Sequence, residues 1–248
     1  MSADRTFSSS NTRSQPSRRN ERLKLPALRS NLQGKFITFE GIDGSGKSTQ
    51  LRMLAGDLRL KGIDVIATQE PGGTPLGRRL REAFLDTEEN VAPMAELLLF
   101  AADRAQHVEF LIKPALAQGR IVISDRYADA TFAYQGAGRG FSEETVNEII
   151  RLATGGLKPD LTIFFDITVE NAIKRMAERH EVGDGRNRMD AETAQFYANV
   201  REAYFQIAKL EPQRFKILAA NGSIEETHAK VVEVVNGFLN QSVAGSGK

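Results

Sequence analysis

The sequence predicts an α/β fold in which about five parallel strands form one sheet with helices on both faces. Short apolar runs alternate along the chain with longer segments whose apolar residues recur every three or four positions. The short runs are apolar on both faces, which is typical of parallel strands buried between two layers of helices. This alternation implies right-handed crossovers, and it places ligands at the carboxyl ends of the strands.

Five segments fit buried strands, and at least four fit amphipathic helices. The predicted strands are residues 35–40, 64–68, 120–124, 160–165 and 214–218. The clearest predicted helices are residues 49–61, 92–117, 143–154 and 169–179. No internal repeat or second change of composition divides this part of the chain, so we expect one domain over residues 34–241.

The overall composition excludes several classes of function. The chain has 248 residues, of which 41% are hydrophobic and 26% charged, as in one large globular domain. It has no cysteine, which excludes disulfides, thiolate metal sites and cysteine nucleophiles, and favours a reducing cytoplasm. The apolar runs are far shorter than the roughly 20 residues of a membrane helix, so no membrane partner is expected. The formal charge of +1 gives no indication of a nucleic-acid partner.

That small net charge hides two regions of opposite sign. Residues 1–33 contain seven basic and two acidic residues, whereas the rest of the chain has 26 basic and 30 acidic residues. The basic tail is rich in serine and poor in large apolar residues, so we expect it to be disordered. An organelle transit peptide is the alternative, although the arginines of the tail lie on no clear amphipathic face. The tail lacks the apolar region of a secretory signal. Residues 242–248 are expected to form a flexible end.

A phosphate-binding motif follows the first predicted strand. Residues 41–48 fit the pattern G-x-x-x-x-G-K-[ST], with a strand before them and an amphipathic helix after them. Glycines allow backbone amides to surround phosphate oxygens at the positive end of the helix. Lys47 is expected to reach the outer phosphates, and Ser48 to bind Mg²⁺. The residues predicted to bind the nucleotide phosphates, which become ATP-binding residues by the resemblance described below, are Gly41, Ile42, Asp43, Gly44, Ser45, Gly46, Lys47, Ser48 and Thr49.

The phosphate-binding motif alone is compatible with a GTPase, a motor ATPase or a kinase, and other parts of the sequence help to distinguish these classes. The chain has no Asn-Lys-x-Asp tetrapeptide, by which GTPases read their base. Asp125 at this strand end can join the Mg²⁺ shell, and Arg126 beside it can bind a second anion. Two phosphate groups would then meet in one site, which favours phosphoryl transfer to a small acceptor over hydrolysis.

Six segments in order make the chain closely similar to the bacterial thymidylate kinases. They are residues 39–49, 70–74, 99–104, 125–127, 133–136 and 159–161, within a match from residue 36 to about 238. The resemblance implies a P-loop kinase fold that transfers the γ-phosphoryl group of ATP to dTMP with Mg²⁺, generally as a homodimer. A related kinase acting on another deoxynucleotide or a deoxynucleoside, or a P-loop protein without transfer, is the alternative.

The resemblance also implies a binding site for the acceptor nucleotide. Phe100 and Arg104 lie four apart on one predicted helix, where a ring can stack on a base and a guanidinium can bind its carbonyl edge. Taken alone, the pattern equally fits a core phenylalanine and a solvated arginine. By resemblance the two contact thymine, Thr131 and Gln135 line the nucleoside site, and Tyr134 lies near the sugar 2′ position.

The acceptor phosphate is assigned to a loop and to two arginines. Glu70 and Pro71 open a glycine-containing loop that could wrap a monophosphate. By resemblance Arg81 holds this phosphate beside Arg126, although Arg78 and Arg79 could compete for the role. The family usually has arginine directly before Glu-Pro-Gly-Gly, where this chain has Gln69.

A lid over residues 179–191 is expected to complete the catalytic machinery. The segment is polar, contains glycine, and carries arginines that could close over ATP and neutralise the transferring group. Arg186 and Arg188 are the predicted ATP contacts, with Arg188 preferred. Asp43 is expected between the two phosphates and near the Mg²⁺ shell. The predicted catalytic residues are thus Lys47, Asp43, Arg126 and Arg188. The predicted metal ligands are Ser48, Asp125 and Asp43.

Overall fold

A computed structural model of the protein describes residues 34–87, 89–181 and 188–245. The basic tail, the middle of the predicted lid and the last three residues lie outside the described residues. The predictions made for the tail and for Arg186 therefore stay predictions.

The structure confirms the predicted five-stranded parallel sheet. The strands are β1 (Lys35–Glu40), β2 (Val65–Gln69), β3 (Ile121–Asp125), β4 (Leu161–Asp166) and β5 (Phe215–Ala219), in the order β2-β3-β1-β4-β5. Strands β2 to β5 each begin one residue later than predicted and extend one residue further. The residues left out are charged and bond elsewhere; for example, Asp160 accepts a hydrogen bond from the Phe36 backbone amide at 2.8 Å.

Helices cover both faces of this sheet. The described residues form α1 (Lys47–Leu60), α2 (Pro75–Phe84), α3 (Pro93–His107), α4 (Lys113–Ala117), α5 (Ala128–Thr131), α6 (Glu143–Thr154), α7 (Val169–Glu181), α8 (Ala194–Leu210) and α9 (Ile224–Gly245). Wider π-helical turns continue α3 over Val108–Ile112 and α5 over Phe132–Gly138, and a 3₁₀ turn spans Arg188–Ala191. The predicted helix over 92–117 is thus α3, its π-helical turn and α4. Helix α9 continues to Gly245, beyond the point where a flexible end is expected.

The core consists of apolar layers on either side of the sheet. On one side α1 and α9 pack against β1, β3 and β4, with Phe39, Leu54 and Val231 among the buried residues. On the other side α8 covers β4, and the Phe164 ring stacks on Tyr204 with 4.9 Å between ring centroids. Each fully buried side chain of this size contributes about 1.5–3 kcal/mol relative to exposure. The sheet is therefore a rigid base for the loops at the carboxyl ends of its strands.

A mostly buried ion pair joins Arg214, the residue before β5, to Asp129 in α5. Arg214 binds both carboxylate oxygens of Asp129 at 2.7 and 2.8 Å, and also donates to Thr162 Oγ1 at 2.8 Å. Asp129 lies close enough to the buried Glu40 to raise the pKa of that carboxyl. Arg214 therefore balances negative charge that would otherwise accumulate below the phosphate-binding motif.

We expect the substitution R214M to lower the free energy of unfolding by about 3 kcal/mol, because it leaves Asp129 uncompensated in a mostly buried position. Urea denaturation of the purified protein measures this change. The control is R151M, which breaks the exposed Arg151–Glu148 pair on α6 and should leave stability nearly unchanged. Similar losses in both variants would contradict the role given to Arg214.

Candidate active site

The phosphate-binding motif forms a glycine-shaped loop between β1 and α1. Gly41, Gly44 and Gly46 have φ values of 146°, 79° and 91°, which side chains with a Cβ rarely adopt. A Cβ on Gly44 would also lie 2.4 Å from the carbonyl oxygen of Ala172 in α7. Helix α1 begins at Lys47, directly after this loop. The loop thus directs its backbone amides towards the start of α1, where a phosphate group would bind.

Lys47 lies folded against the inside of this loop. Its Nζ donates to the carbonyl oxygen of Ile42 at 3.1 Å and to Ser45 Oγ at 3.4 Å. Burial and the positive charge of Arg126 lower the pKa of Lys47 to about 8. The protein therefore balances the positive charge of this ammonium only in part, and a bound anion would stabilise the charged form of Lys47.

Asp43, Arg126 and Tyr134 form a cluster between the phosphate loop and the end of β3. Arg126 Nη2 donates to Asp43 Oδ1 at 2.7 Å and to the Tyr134 hydroxyl at 2.9 Å, while Tyr134 donates to Asp43 Oδ2 at 3.1 Å. Burial would raise the pKa of Asp43, but Arg126 and Lys47 outweigh it and lower the pKa to about 2. Asp43 is therefore ionised at neutral pH and orients Arg126 rather than serving as a base.

Two of the three predicted metal ligands, Ser48 and Asp125, are brought together, whereas Asp43 bonds to Arg126 and Tyr134. Ser48 Oγ donates a hydrogen bond to Asp125 Oδ2, across the start of α1 and the end of β3. A hydroxyl and a carboxylate are the hard oxygen ligands that suit Mg²⁺, which usually adds phosphate oxygens and waters to one or two protein ligands. No cluster of three or more His, Asp or Glu residues that could hold a metal occurs within the described ranges. The residues present therefore fit a metal ion that arrives with a nucleotide.

A cavity opens beside Asp43 and Arg126, which both line it. All nine predicted substrate residues line it: Glu70, Pro71, Arg81, Phe100, Arg104, Arg126, Thr131, Tyr134 and Gln135. Of the three arginines on α2 considered for the acceptor phosphate, Arg81 lines the cavity, and its Nε also pairs with Asp86 at 3.1 Å. Leu85, Ala130 and Met189 line the cavity too, and sequence reasoning missed them because they carry no distinctive chemistry.

Arg104 lies almost fully buried at the inner end of this cavity. Its guanidinium donates to Glu70 Oε2 at 2.8 Å, Thr131 Oγ1 at 2.6 Å and the Tyr127 carbonyl at 2.9 Å. The solvated alternative for Arg104 is therefore wrong. His107 holds the other oxygen of Glu70 at 2.8 Å from Nδ1. These contacts fix the donor groups that Arg104 presents to the cavity.

Helix α3 holds the Glu70–Thr74 loop in place. Asp103 accepts a hydrogen bond from the Gly72 amide at 3.1 Å, and a Cβ on Gly73 would lie 2.5 Å from His107 Nε2. The loop therefore needs glycine where it crosses α3. Asp103 and His107 are structural contributors that the sequence pattern could not single out, since neither shares a motif with the loop.

Arg188 lies next to Met189, which lines the cavity. Its Nη2 pairs with the buried Glu96 at 2.5 Å, and its Nε donates to the Phe84 carbonyl at 3.3 Å. Its position gives it no described contact with the phosphate loop. Arg179 pairs with Asp190 at 3.2 Å, while Arg186 falls outside the described residues. Glu96 is the residue that sequence reasoning missed most clearly, because a glutamate in a helix normally indicates a solvated face.

A glycine loop at the start of a helix, with a cavity beside Arg126 next to it, is the arrangement of a P-loop phosphotransferase. The family model "Thymidylate kinase" matches residues 39–231. A thymidylate kinase of Pelobacter propionicus is 45% identical over 213 residues, covering 84% of this chain and 97% of the relative. That of Geotalea daltonii is 46% identical and covers 84% and 99%. The chain belongs to the thymidylate kinase family.

A solved structure gives the same result. The crystal structure of thymidylate kinase from Ehrlichia chaffeensis aligns with a TM-score of 0.66 at 35% identity, over 82% of this chain and 98% of that one. The predicted P-loop kinase fold and phosphotransferase class are therefore confirmed. Within the described residues, no helix is both long and apolar enough to cross a membrane.

We expect ATP binding at pH 8 to take up as much as about half a proton per site, because the polyphosphate raises the pKa of a half-protonated Lys47. Titration calorimetry in two buffers of different ionisation enthalpy measures this uptake. The control K47M has no ammonium to protonate and should show a smaller uptake. Equal proton uptake by the two proteins would show that Lys47 does not face the phosphates.

Proposed function

We propose that the protein transfers the γ-phosphoryl group of ATP to dTMP, giving dTDP and ADP, in the synthesis of dTTP. One observation carries this proposal: Arg126, paired with Asp43 of the phosphate loop, lines a cavity together with Arg81, the ring of Phe100 and the buried guanidinium of Arg104. Arg81 and Arg126 suit a phosphate, and Phe100 with Arg104 suits a pyrimidine base.

The donor phosphates would lie on the backbone amides of residues 41–48, with Lys47 on the outer phosphates. Mg²⁺ bound with ATP, held by Ser48 and Asp125, would neutralise charge on the transferring group. Asp43 fixes the guanidinium of Arg126 at the junction, where it can contact the acceptor phosphate. Phosphoryl transfer depends chiefly on position and charge neutralisation, so these contacts suffice without an obligatory general base.

The acceptor would enter the cavity with its phosphate towards Arg81 and Arg126. Its base would lie against Phe100, with the carbonyl edge towards Arg104. Tyr134 would occupy the region of the sugar, where its hydroxyl is held by Asp43 and Arg126. Arg81 and Arg126 weigh against a nucleoside acceptor, since such a molecule has no phosphate to accept hydrogen bonds from their guanidinium groups.

Arg186 and Arg188 are proposed to reach ATP from the lid. For Arg188 this requires release from Glu96, because the pair holds its guanidinium on the acceptor side. Closure of a polar lid over the phosphates would exclude water and so prevent hydrolysis of ATP.

A steady-state assay with ATP, Mg²⁺ and each of dTMP, dUMP, thymidine and dCMP tests this function. We expect kcat/KM to be highest for dTMP. It should fall on the order of 10- to 200-fold for dUMP, which lacks one methyl group. Thymidine should be a very poor acceptor because it leaves Arg81 and Arg126 without a phosphate. Comparable turnover of thymidine, with none of dTMP, would contradict the proposal.

We also propose that the protein forms a homodimer and acts in the cytoplasm. Met94 and Leu98, four residues apart on α3, are 44% and 49% exposed, and Phe110 in the following turn is 72% exposed. An apolar surface of this kind is typical of a face covered by a partner. A second copy of the chain could cover it through a two-fold interface. The absence of cysteine suits a reducing compartment.

We expect L98E to shift the protein from dimer to monomer, because it places a charge in the apolar contact. Light scattering coupled to size-exclusion chromatography measures the mass. Leu210 at the end of α8 is 77% exposed and outside this surface, so L210E should leave the mass unchanged. A dimer that survives L98E would place the interface elsewhere.

A further inference from the structure

Glu96 is a fully buried carboxylate at the edge of the acceptor cavity. Its oxygens accept four hydrogen bonds: from Gln135 Nε2 at 2.9 Å, from Arg139 at 3.1 and 3.0 Å, and from Arg188 at 2.5 Å. Burial would raise the pKa of Glu96, but the hydrogen bonds from Arg139, Arg188 and Gln135 outweigh it and lower the pKa. Glu96 is therefore ionised, and an ionised carboxylate can only accept hydrogen bonds.

This contact decides which way the side-chain amide of Gln135 points. Only its NH₂ group can approach a carboxylate, so a reversed amide would place two oxygens against each other. The amide oxygen of Gln135 is then turned away from Glu96. Among the described residues no donor bonds to this oxygen, and Gln135 lines the acceptor cavity. Gln135 is thus held as a hydrogen-bond acceptor for a ligand.

Arg104 supplies the matching donor. Three of its five N–H groups bond to Glu70, Thr131 and Tyr127, which leaves one N–H on each terminal nitrogen. Thr131 precedes Gln135 by about one helical turn, so the donor and the acceptor are neighbours along one wall of the cavity. The polarity of that wall is fixed at both positions by buried carboxylates.

Phe100 completes the geometry. One face of α3 carries Glu96, Phe100 and Arg104, spaced four residues apart. Glu96 contacts Gln135, and Arg104 contacts Thr131. A flat base lying on Phe100 would therefore turn one edge towards Arg104 and Gln135. Thymine offers a carbonyl oxygen and a neighbouring N3–H on that edge, which match a donor and an acceptor. Cytosine offers an amino group and an unprotonated N3, which oppose both.

We propose that Glu96 is a positioning residue that fixes the amide of Gln135 and so sets the preference for pyrimidines with an N3–H over cytosine nucleotides. This inference rests on the proposed function. Without an acceptor-only partner, the amide of Gln135 can rotate and present its NH₂ group to the unprotonated N3 of cytosine. Discrimination would then depend on Arg104 alone.

The test is the ratio of kcat/KM for dTMP to that for dCMP in the full-length enzyme and in E96Q, whose amide can donate as well as accept. We expect the ratio to fall on the order of 10- to 100-fold, chiefly through the KM values, because one oriented hydrogen bond is lost for dTMP and one is gained for dCMP. The matched control is E192Q, which removes the other carboxylate bound by Arg139, at 2.6 Å, without contacting Gln135. Its ratio should stay within about twofold of the wild type.

Two further variants separate orientation from general damage. E96D keeps the charge for Arg139 and Arg188 but withdraws the carboxylate from Gln135, so the ratio should fall in this variant too. E96D therefore tests the inference even where E96Q does not fold. In a double-mutant cycle, E96Q should change the ratio much less when it is combined with Q135M, because the amide it acts through is gone.

The outcomes distinguish the inference from the function on which it rests. A wild-type enzyme that does not prefer dTMP to dCMP contradicts the proposed function. A wild-type preference that survives in folded E96Q or E96D overturns the role given to Glu96 but leaves the proposed function standing. Equal losses of kcat/KM for both nucleotides would also overturn it, since they would show that Glu96 only supports the local structure.

Discussion

The ion pair between Arg126 and Asp43 is the interaction on which the site depends. It joins the loop after β1 to the loop after β3, the two places where a parallel sheet brings ligands together. Arg126 has a φ of 72°, rare for a residue with a side chain, and its amide donates to the Phe39 carbonyl at 2.9 Å. The backbone is therefore held in an unfavourable conformation, in which the guanidinium binds Asp43 of the phosphate loop and lines the cavity.

Below this pair, Glu40 ties the end of β1 to the surrounding helices. Its carboxyl accepts hydrogen bonds from the Tyr127 amide and the Tyr204 hydroxyl, both at 2.8 Å. Burial, together with the nearby Asp129, raises the pKa of Glu40 to about 8, so it is mostly neutral at pH 7. Because its pKa rises on folding, its contribution favours the folded state at low pH and is lost as the pH rises from about 4.5 through 8. Negative charge directly beneath the phosphate loop is thereby limited.

Helix α3 connects the acceptor cavity to the lid. Along one face it carries Glu96, Phe100 and Arg104, and each contacts a different element around the cavity. Glu96 bonds to Gln135 on the cavity wall and to Arg188 at the edge of the lid. One buried carboxylate therefore bonds both to a residue that lines the cavity and to Arg188.

The sequence alone predicted the fold class, the strand positions to within one residue and the phosphate loop, because these depend on local periodicity and on glycines in a short motif. The nine residues that line the cavity were predicted chiefly from the resemblance to a known family, whose short motifs contain most of them. Tertiary structure alone decided that Arg104 is buried, that Arg188 bonds to Glu96, and that Glu96, Asp103 and His107 support the cavity. Those roles arise from residues distant in sequence that meet in a low-dielectric interior, where an unpaired charge is costly. The periodicity of a sequence does not indicate which residue will pair with a buried carboxylate.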